Sequence, residues 1–143
     1  MSSDEVLHRL RLFLLMLSAG LAVGTVVELL FGEHFQMATQ LVPFALSAAA
    51  LGGALLALMR PQRSSLLLLR GVMALVALGS LFGIYEHVAS NLAFVLEIKP
   101  ATPAVEAFWQ ALFGANPLLA PGVLALAALL AIAATWQHPA LAT

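Results

Sequence analysis

The chain has 143 residues, of which 62% are hydrophobic and only 9% are charged, and its mean hydropathy is +1.02. An ordinary soluble domain carries roughly 25% charged residues, so this composition excludes a disordered chain and a soluble globular domain. A formal net charge of −1 offers no basic face for nucleic acid. The absence of cysteine removes disulfides and thiolate chemistry. The composition therefore predicts an integral membrane protein whose main partner is the lipid bilayer.

Four apolar segments approach the roughly 20 residues that a helix needs to cross a bilayer. They run over residues 12–32, over 41–59, from Ser65 or Gly71 to Tyr85, and over 118–136. Because the runs are continuous and rich in Leu and Ala instead of alternating with polar residues, they predict helices and not the strands of a β-barrel. We therefore predict a single all-α membrane domain over residues 1–143, folded as a bundle of four transmembrane helices.

The basic residues predict the orientation of these spans. Five of the six Lys and Arg residues precede the first span or lie between the second and third spans. The positive-inside rule then places the N-terminus, the middle link and the C-terminus in the cytoplasm, and we expect a bacterial inner membrane. A secretory signal peptide over residues 1–22 is the competing interpretation. The apolar run continues past Ala22 for a full membrane thickness, which favours a span.

The chain also contains an apparent internal repeat. A shift of 59 residues places Arg11 on Arg70, Gly20 on Gly79, Gly24 on Gly83 and Glu28 on His87; a shift of 78 places Pro43 on Pro121 and Pro61 on Pro139. These matches predict two tandem helical hairpins over about residues 11–61 and 70–139. Both hairpins enter from the same side, so the repeat is parallel. Chance similarity between two Leu- and Ala-rich hairpins is the alternative.

The second hairpin carries an outer-face insertion over about residues 91–116. Within it, TPAVEAFWQALFGANP has Thr102 as a cap, Pro103 at the first helical position and Gly114 as a stop. Four apolar residues share one face at helical spacing: Ala104, Phe108, Ala111 and Leu112. This pattern predicts a short interfacial helix before the fourth span. A plain connector with aromatic interfacial residues is the alternative.

A small set of polar residues near the outer ends of the first and third spans is the candidate site, because ionisable groups inside a span are costly. The principal candidates are Glu28, Glu86, His87 and Asn91, and the secondary candidates are Glu33 and His34. Glu28 lies 17 residues beyond Arg11, and His87 lies 17 beyond Arg70. Both side chains are therefore expected at one height, about 25 Å from those arginines.

Two glycine pairs share helical stripes with these residues. They are Gly20 and Gly24 in the first span, and Gly79 and Gly83 in the third. Small residues four apart let helix backbones approach closely. A crossing of the first and third spans at these glycines would direct Glu28 and His87 into one polar pocket.

Several ligands fit the chemistry of such a pocket. Imidazole and carboxylate groups bind transition metals, two facing imidazoles at His34 and His87 would ligate a haem, and one imidazole would ligate a chlorophyll magnesium. Proton or cation handling by Glu28 and His87 is a further alternative. A purely structural contact between those two residues is the simplest interpretation, so no cofactor is predicted. We expect His8 and His138 to be interfacial residues with no ligand role.

No motif of a soluble enzyme is present, since the chain contains neither a glycine-rich phosphate loop nor a nucleophile elbow. Small residues in SAAALGGALLAL, residues 47–58, favour close helix packing. We therefore expect a non-catalytic accessory, assembly or structural subunit that packs against other membrane proteins, such as those of a respiratory or photosynthetic complex, or against its own copies. The alternative is a ligand-binding or transport protein that uses the outward Glu/His pocket.

Overall fold

The computed structural model describes residues 2–142, and these residues form helices, turns and no strands. The α-helices are α1 (Ser3–Phe31), α2 (Val42–Met59), α3 (Arg63–Ile98), α4 (Ala104–Leu112) and α5 (Leu119–Ala134). Short 3₁₀ turns occupy Ala38–Leu41 and Pro139–Leu141. Three helical stretches are long and apolar enough to cross a membrane, namely Ser3–Phe31, Ala38–Met59 and Arg63–Ile98. The predicted all-helical class with membrane-length apolar helices is confirmed.

Local sequence explains where the first three helices begin. The Ser2 hydroxyl accepts a hydrogen bond of 3.3 Å from the Glu5 N–H and caps α1. Pro43 lies in the first turn of α2, where its missing N–H has no cost. The tight turn between α2 and α3 is held by Ser65, whose hydroxyl donates to the backbone carbonyls of Arg60 and Gln62.

The four longer helices form a ring in which each helix packs against two neighbours. Helix α1 packs on α2 and α5, and α3 also packs on α2 and α5, so α1 and α3 occupy opposite corners. The core between them contains mostly Leu and Ala, for example Leu69, Met73, Leu124 and Ala128. Within residues 2–142, α1 and α3 make no contact with each other, so the glycine crossing that would direct Glu28 and His87 into one pocket is not seen.

Helix α3 is longer than its apolar run. It has 36 residues and continues to Ile98, whereas the sequence predicted a span ending near Tyr85. Its length is about 54 Å at 1.5 Å per residue. The polar residues Glu86 and His87 mark a change of polarity and do not end the helix, because the hydrogen-bonded backbone continues through them.

The predicted short helix is present as α4, although two details differ. Pro103 and not Thr102 occupies the N-cap position, and no side chain caps the helix. Ala107 and Ala111 are the buried residues of α4, while Phe108 remains 45% exposed. Helix α4 packs on α3, and the fully buried residues of α4 are the small ones.

Candidate functional site

Charge divides the bundle into two ends. The arginine end holds Arg9, Arg11, Arg60, Arg63 and Arg70, with the acidic residues Asp4 and Glu5. The glutamate end holds Glu28, Glu33, Glu86, Glu97 and Glu106, with the basic residue Lys99. The first residues of α1 and α3 and the last residues of α2 and α5 meet at the arginine end. The predicted site therefore lies at the glutamate end.

Asn91 joins α3 to the segment between α4 and α5. Its side-chain Nδ2 donates to the carbonyls of Ala111 at 2.9 Å and Asn116 at 3.0 Å. Its Oδ1 accepts from the Asn116 N–H at 2.9 Å. Asn91 is 3% exposed, so these bonds satisfy a buried amide on both of its polar atoms. The predicted pocket residue thus acts as a clasp that holds α4 and the start of α5 against α3.

Gly114 completes this clasp because no side chain fits at its position. A Cβ atom there would lie 2.7 Å from both Nδ2 and Oδ1 of Asn91, well inside van der Waals contact. Beside it, the exposed Asn116 amide donates to the Ser90 hydroxyl at 3.0 Å. Gly114, predicted as a helix stop, is therefore also required by the close approach of the Asn91 amide.

His87 lies one turn before Asn91 on α3 and contacts the same segment. Its Nδ1 is 2.7 Å from the carbonyl oxygen of Pro117. A carbonyl only accepts, so Nδ1 carries the proton and donates, and Nε2 of the neutral ring keeps its lone pair. This pattern, with one ring nitrogen donating to a carbonyl, is common in metal-bound histidines. The ring centroids of His87 and His34 are 6.2 Å apart.

The end of α1 explains how His34 reaches α3 although α1 and α3 lie at opposite corners. The His34 N–H donates to the carbonyl of Leu29 and the Glu33 N–H donates to that of Leu30, both bonds of a Schellman motif. Glu33 occupies the left-handed position of this motif with φ of 50°. The resulting turn brings the half-buried His34 next to His87.

The predicted carboxylates do not join this imidazole pair. Glu28 is half-buried, whereas Glu33 and Glu86 are exposed. Within residues 2–142 none of the three carboxylates makes a hydrogen bond or an ion pair, so the expected contact between Glu28 and His87 is not seen. The same residues contain no group of three or more His, Asp or Glu positioned to hold a metal ion.

The two predicted glycine pairs have different surroundings. A Cβ at Gly79 would lie 2.7 Å from Leu46 of α2, and one at Gly83 would lie 3.4 Å from Pro121 of α5. Gly79 and Gly83 therefore allow α2 and α5 to approach α3 closely inside the bundle. A Cβ at Gly20 or Gly24 would meet nothing within 4 Å, and both residues are exposed on α1.

At the arginine end, two arginines that the repeat aligned hold the end of α5. Arg11 donates through Nη2 to the carbonyls of Trp136 at 3.3 Å and Gln137 at 2.9 Å. Arg70 donates to the hydroxyl of Thr135 at 2.7 Å and to its carbonyl at 3.0 Å. Positive charge at a helix C-terminus also complements the helix dipole. The sequence analysis did not predict these contacts. The alignment of Arg11 with Arg70 in the repeat is the one sequence signal that links the two arginines.

A cavity of about 250 Å³ adjoins these arginines. Its lining includes His8, Arg11 and His138 together with apolar side chains such as Leu12 and Leu66. Burial first, and then the positive charges of Arg11 and His8, hold the pKa of the His138 imidazole below its ordinary value. His8 and His138, which we expected to be interfacial residues with no ligand role, both line this cavity.

Comparison with family models, curated proteins and solved structures gives no match to this chain.

Proposed function

We propose that the chain crosses the membrane four times, with both chain ends in the cytoplasm, as two tandem hairpins in a bacterial inner membrane. The fourth crossing requires that α5, with 16 residues, spans the bilayer. Two contacts between α3 and the residues that flank α5 support this: His87 meets Pro117, and Arg70 meets Thr135. The 18 residues between Pro117 and Thr135 extend about 27 Å in a helix, close to the hydrocarbon thickness of about 30 Å.

The ring order supports the hairpin repeat. The first hairpin consists of α1 and α2, and the second consists of α3 and α5 with α4 inserted between them. Exchanging α1 with α3 and α2 with α5 leaves the set of neighbouring helices unchanged. A twofold axis along the membrane normal has the same effect, as expected for a parallel repeat.

Within this topology, the proposed function is that of a non-catalytic accessory subunit that binds a transmembrane helix of another membrane protein. The exposed face of α1 around Gly20 and Gly24 carries this proposal. Val23 and Val27 extend that face and are 47% and 44% exposed. Small residues spaced by four allow a neighbouring helix to approach closely. The aligned pair Gly79 and Gly83 already accommodates the side chains of Leu46 and Pro121 within the bundle.

Site-specific cross-linking in native membranes tests this function. A photoreactive residue in place of Val23 should give one discrete cross-linked product with a different protein, and Gly20→Leu should abolish it. Leu78 of α3 is 65% exposed and provides the matched control position, from which no discrete product is expected. Equal diffuse labelling from both positions, or a product containing only a second copy of this chain, would contradict the accessory role.

The second candidate function is ligand binding at the His34 and His87 pair. The observation that favours it is the 6.2 Å separation of the two ring centroids, combined with the hydrogen bond that leaves Nε2 of His87 with its lone pair. Imidazole suits zinc, copper, iron and nickel. Such a site would use two protein ligands, with solvent or a tetrapyrrole completing the coordination.

Metal analysis and an absorption spectrum of the purified protein test this second candidate. A transition metal or a haem Soret band at a stoichiometric level should disappear in both His34→Ala and His87→Ala. His8→Ala, at the opposite end of the bundle, should leave the signal unchanged. Full retention of bound metal or haem in the His87→Ala variant would remove this site from consideration, as would the absence of both signals from the wild-type protein.

A further inference from the structure

The cavity at the arginine end combines basic and apolar side chains in one lining. It has a volume of about 250 Å³ and is bounded by α1, the turn between α2 and α3, and the segment after α5. Leu12, Leu15 and Leu66 are among its apolar residues. His8, Arg11 and His138 are its basic residues. A lining of this composition fits a ligand that has a charged head and an apolar remainder.

Hydrogen-bond donors remain available in this lining. Within the described residues, Arg11 bonds to the end of α5 only through Nη2, so its Nε and Nη1 hydrogens have no partner there. Nδ1 of His138 accepts the N–H of Ala140 at 3.1 Å. The neutral ring therefore carries its proton on Nε2, which is a donor. The His8 side chain makes no hydrogen bond within residues 2–142 and is exposed.

The local charge favours an anion. None of the residues that line the cavity is acidic. Of the two acidic side chains at this end within residues 2–142, Glu5 is paired with Arg9 at 2.7 Å and Asp4 lies outside the cavity lining. The lowered pKa of His138 reflects, after burial, the positive charges of Arg11 and His8. The lining therefore combines the basic residues His8, Arg11 and His138 with no carboxylate.

We propose that this cavity binds one anionic phospholipid from the leaflet at the arginine end. Its phosphate would be held by His8, Arg11 and His138, and the first part of its acyl chain would pack on Leu12, Leu15 and Leu66. Basic pockets between transmembrane helices recognise phospholipid head groups in this way. The apolar lining favours a lipid over free phosphate. Burying an ion beside leucine side chains costs free energy, and only a lipid has an acyl chain whose burial against them offsets that cost. This site is separate from the helix-binding face of α1 and does not depend on it.

Native mass spectrometry of the full chain, released from detergent micelles, tests the proposal directly. The protein is titrated with dioleoyl phosphatidylglycerol and, in parallel, with dioleoyl phosphatidylcholine. One phosphatidylglycerol should bind about fivefold more tightly than phosphatidylcholine, the factor that one basic residue contributes at an anionic surface. Arg11→Gln should reduce phosphatidylglycerol affinity about fivefold. Arg63→Gln removes an equal charge at the same end but outside the cavity lining, and should leave the affinity unchanged.

A second variant guards against loss of the fold, because Arg11 also holds the end of α5. His8→Ala removes no hydrogen bond recorded in residues 2–142 and should still weaken phosphatidylglycerol binding about threefold, as expected for one lost hydrogen bond. Equal binding of the two lipids would overturn the proposal, and so would equal effects of His8→Ala and Arg63→Gln. Displacement of the lipid by millimolar inorganic phosphate would also overturn it, because the cavity would then be a site for a free anion.

Discussion

The strongest structural prediction concerns the clasp made by Asn91. Replacing Asn91 with Ala removes three hydrogen bonds, to the Ala111 carbonyl and to the backbone carbonyl and N–H of Asn116. Each neutral bond contributes about 1 kcal/mol net, and a buried group left unsatisfied costs about 1–3 kcal/mol. Ala111 is fully buried, so water does not replace the lost donor. We expect Asn91→Ala to reduce the free energy of unfolding by about 3 kcal/mol.

Ser90→Ala is the matched control for this substitution. Ser90 is the preceding residue, contacts the same segment through one hydrogen bond to the Asn116 side chain, and is exposed. Exposed substitutions of this kind usually change stability by less than about 0.5 kcal/mol. The comparison therefore separates the buried clasp from the exposed contact beside it.

Denaturant unfolding in detergent micelles measures both variants. Trp109 lies in α4 and reports on that helix once Trp136, which is 72% exposed, is replaced with Phe. Hydrogen exchange should also become faster in α4 of Asn91→Ala, since the clasp attaches that helix to α3. If Asn91→Ala and Ser90→Ala differ by less than about 0.5 kcal/mol, the clasp does not stabilise the fold as argued.

Three further predictions concern single positions. Glu33→Gly should raise stability by about 1 kcal/mol, because glycine adopts φ of 50° without strain; an unchanged unfolding midpoint would contradict it. Gly114→Ala should lower the free energy of unfolding by about 1–3 kcal/mol through overlap with the Asn91 side chain. The loss should be much smaller in the Asn91→Ala background, so additive effects in a double-mutant cycle would refute the contact. The pKa of His138 is lowered in the fold, so the unfolded chain binds more protons as the pH falls below the ordinary value of about 6.5, and stability should decrease there. Melting temperatures between pH 8 and pH 5 should show this decrease, and His138→Gln should reduce it.

Composition and hydropathy predicted the helical class and the long apolar helices because burial in lipid requires continuous apolar runs. They did not predict the end of α3. The apolar run stops near Tyr85, but backbone hydrogen bonds continue the helix to Ile98. The edge of an apolar segment and the end of a helix are set by different forces, and only the first is visible in hydropathy.

The sequence also did not predict which helices are neighbours. The glycine stripes predicted close packing, but the pattern does not specify the partner. Gly79 meets Leu46 of α2, whereas Gly20 meets no side chain within residues 2–142. Asn91 was a candidate because it shares a helical stripe with Gly79, Gly83 and His87. Its role as a clasp depends on contacts 20 and 25 residues away, which no local pattern specifies.

Accessibility of single cysteines tests the proposed topology most directly. The chain has no cysteine, so each introduced thiol reports one position. In intact bacteria, a membrane-impermeant maleimide should label cysteines placed at Gln36 and Ala101, at the glutamate end. Cysteines at Ser3, Gln62 and Gln137 should react only after the membrane is permeabilised. Labelling of Ser3 and Gln137 from opposite faces would contradict four crossings with both chain ends in the cytoplasm.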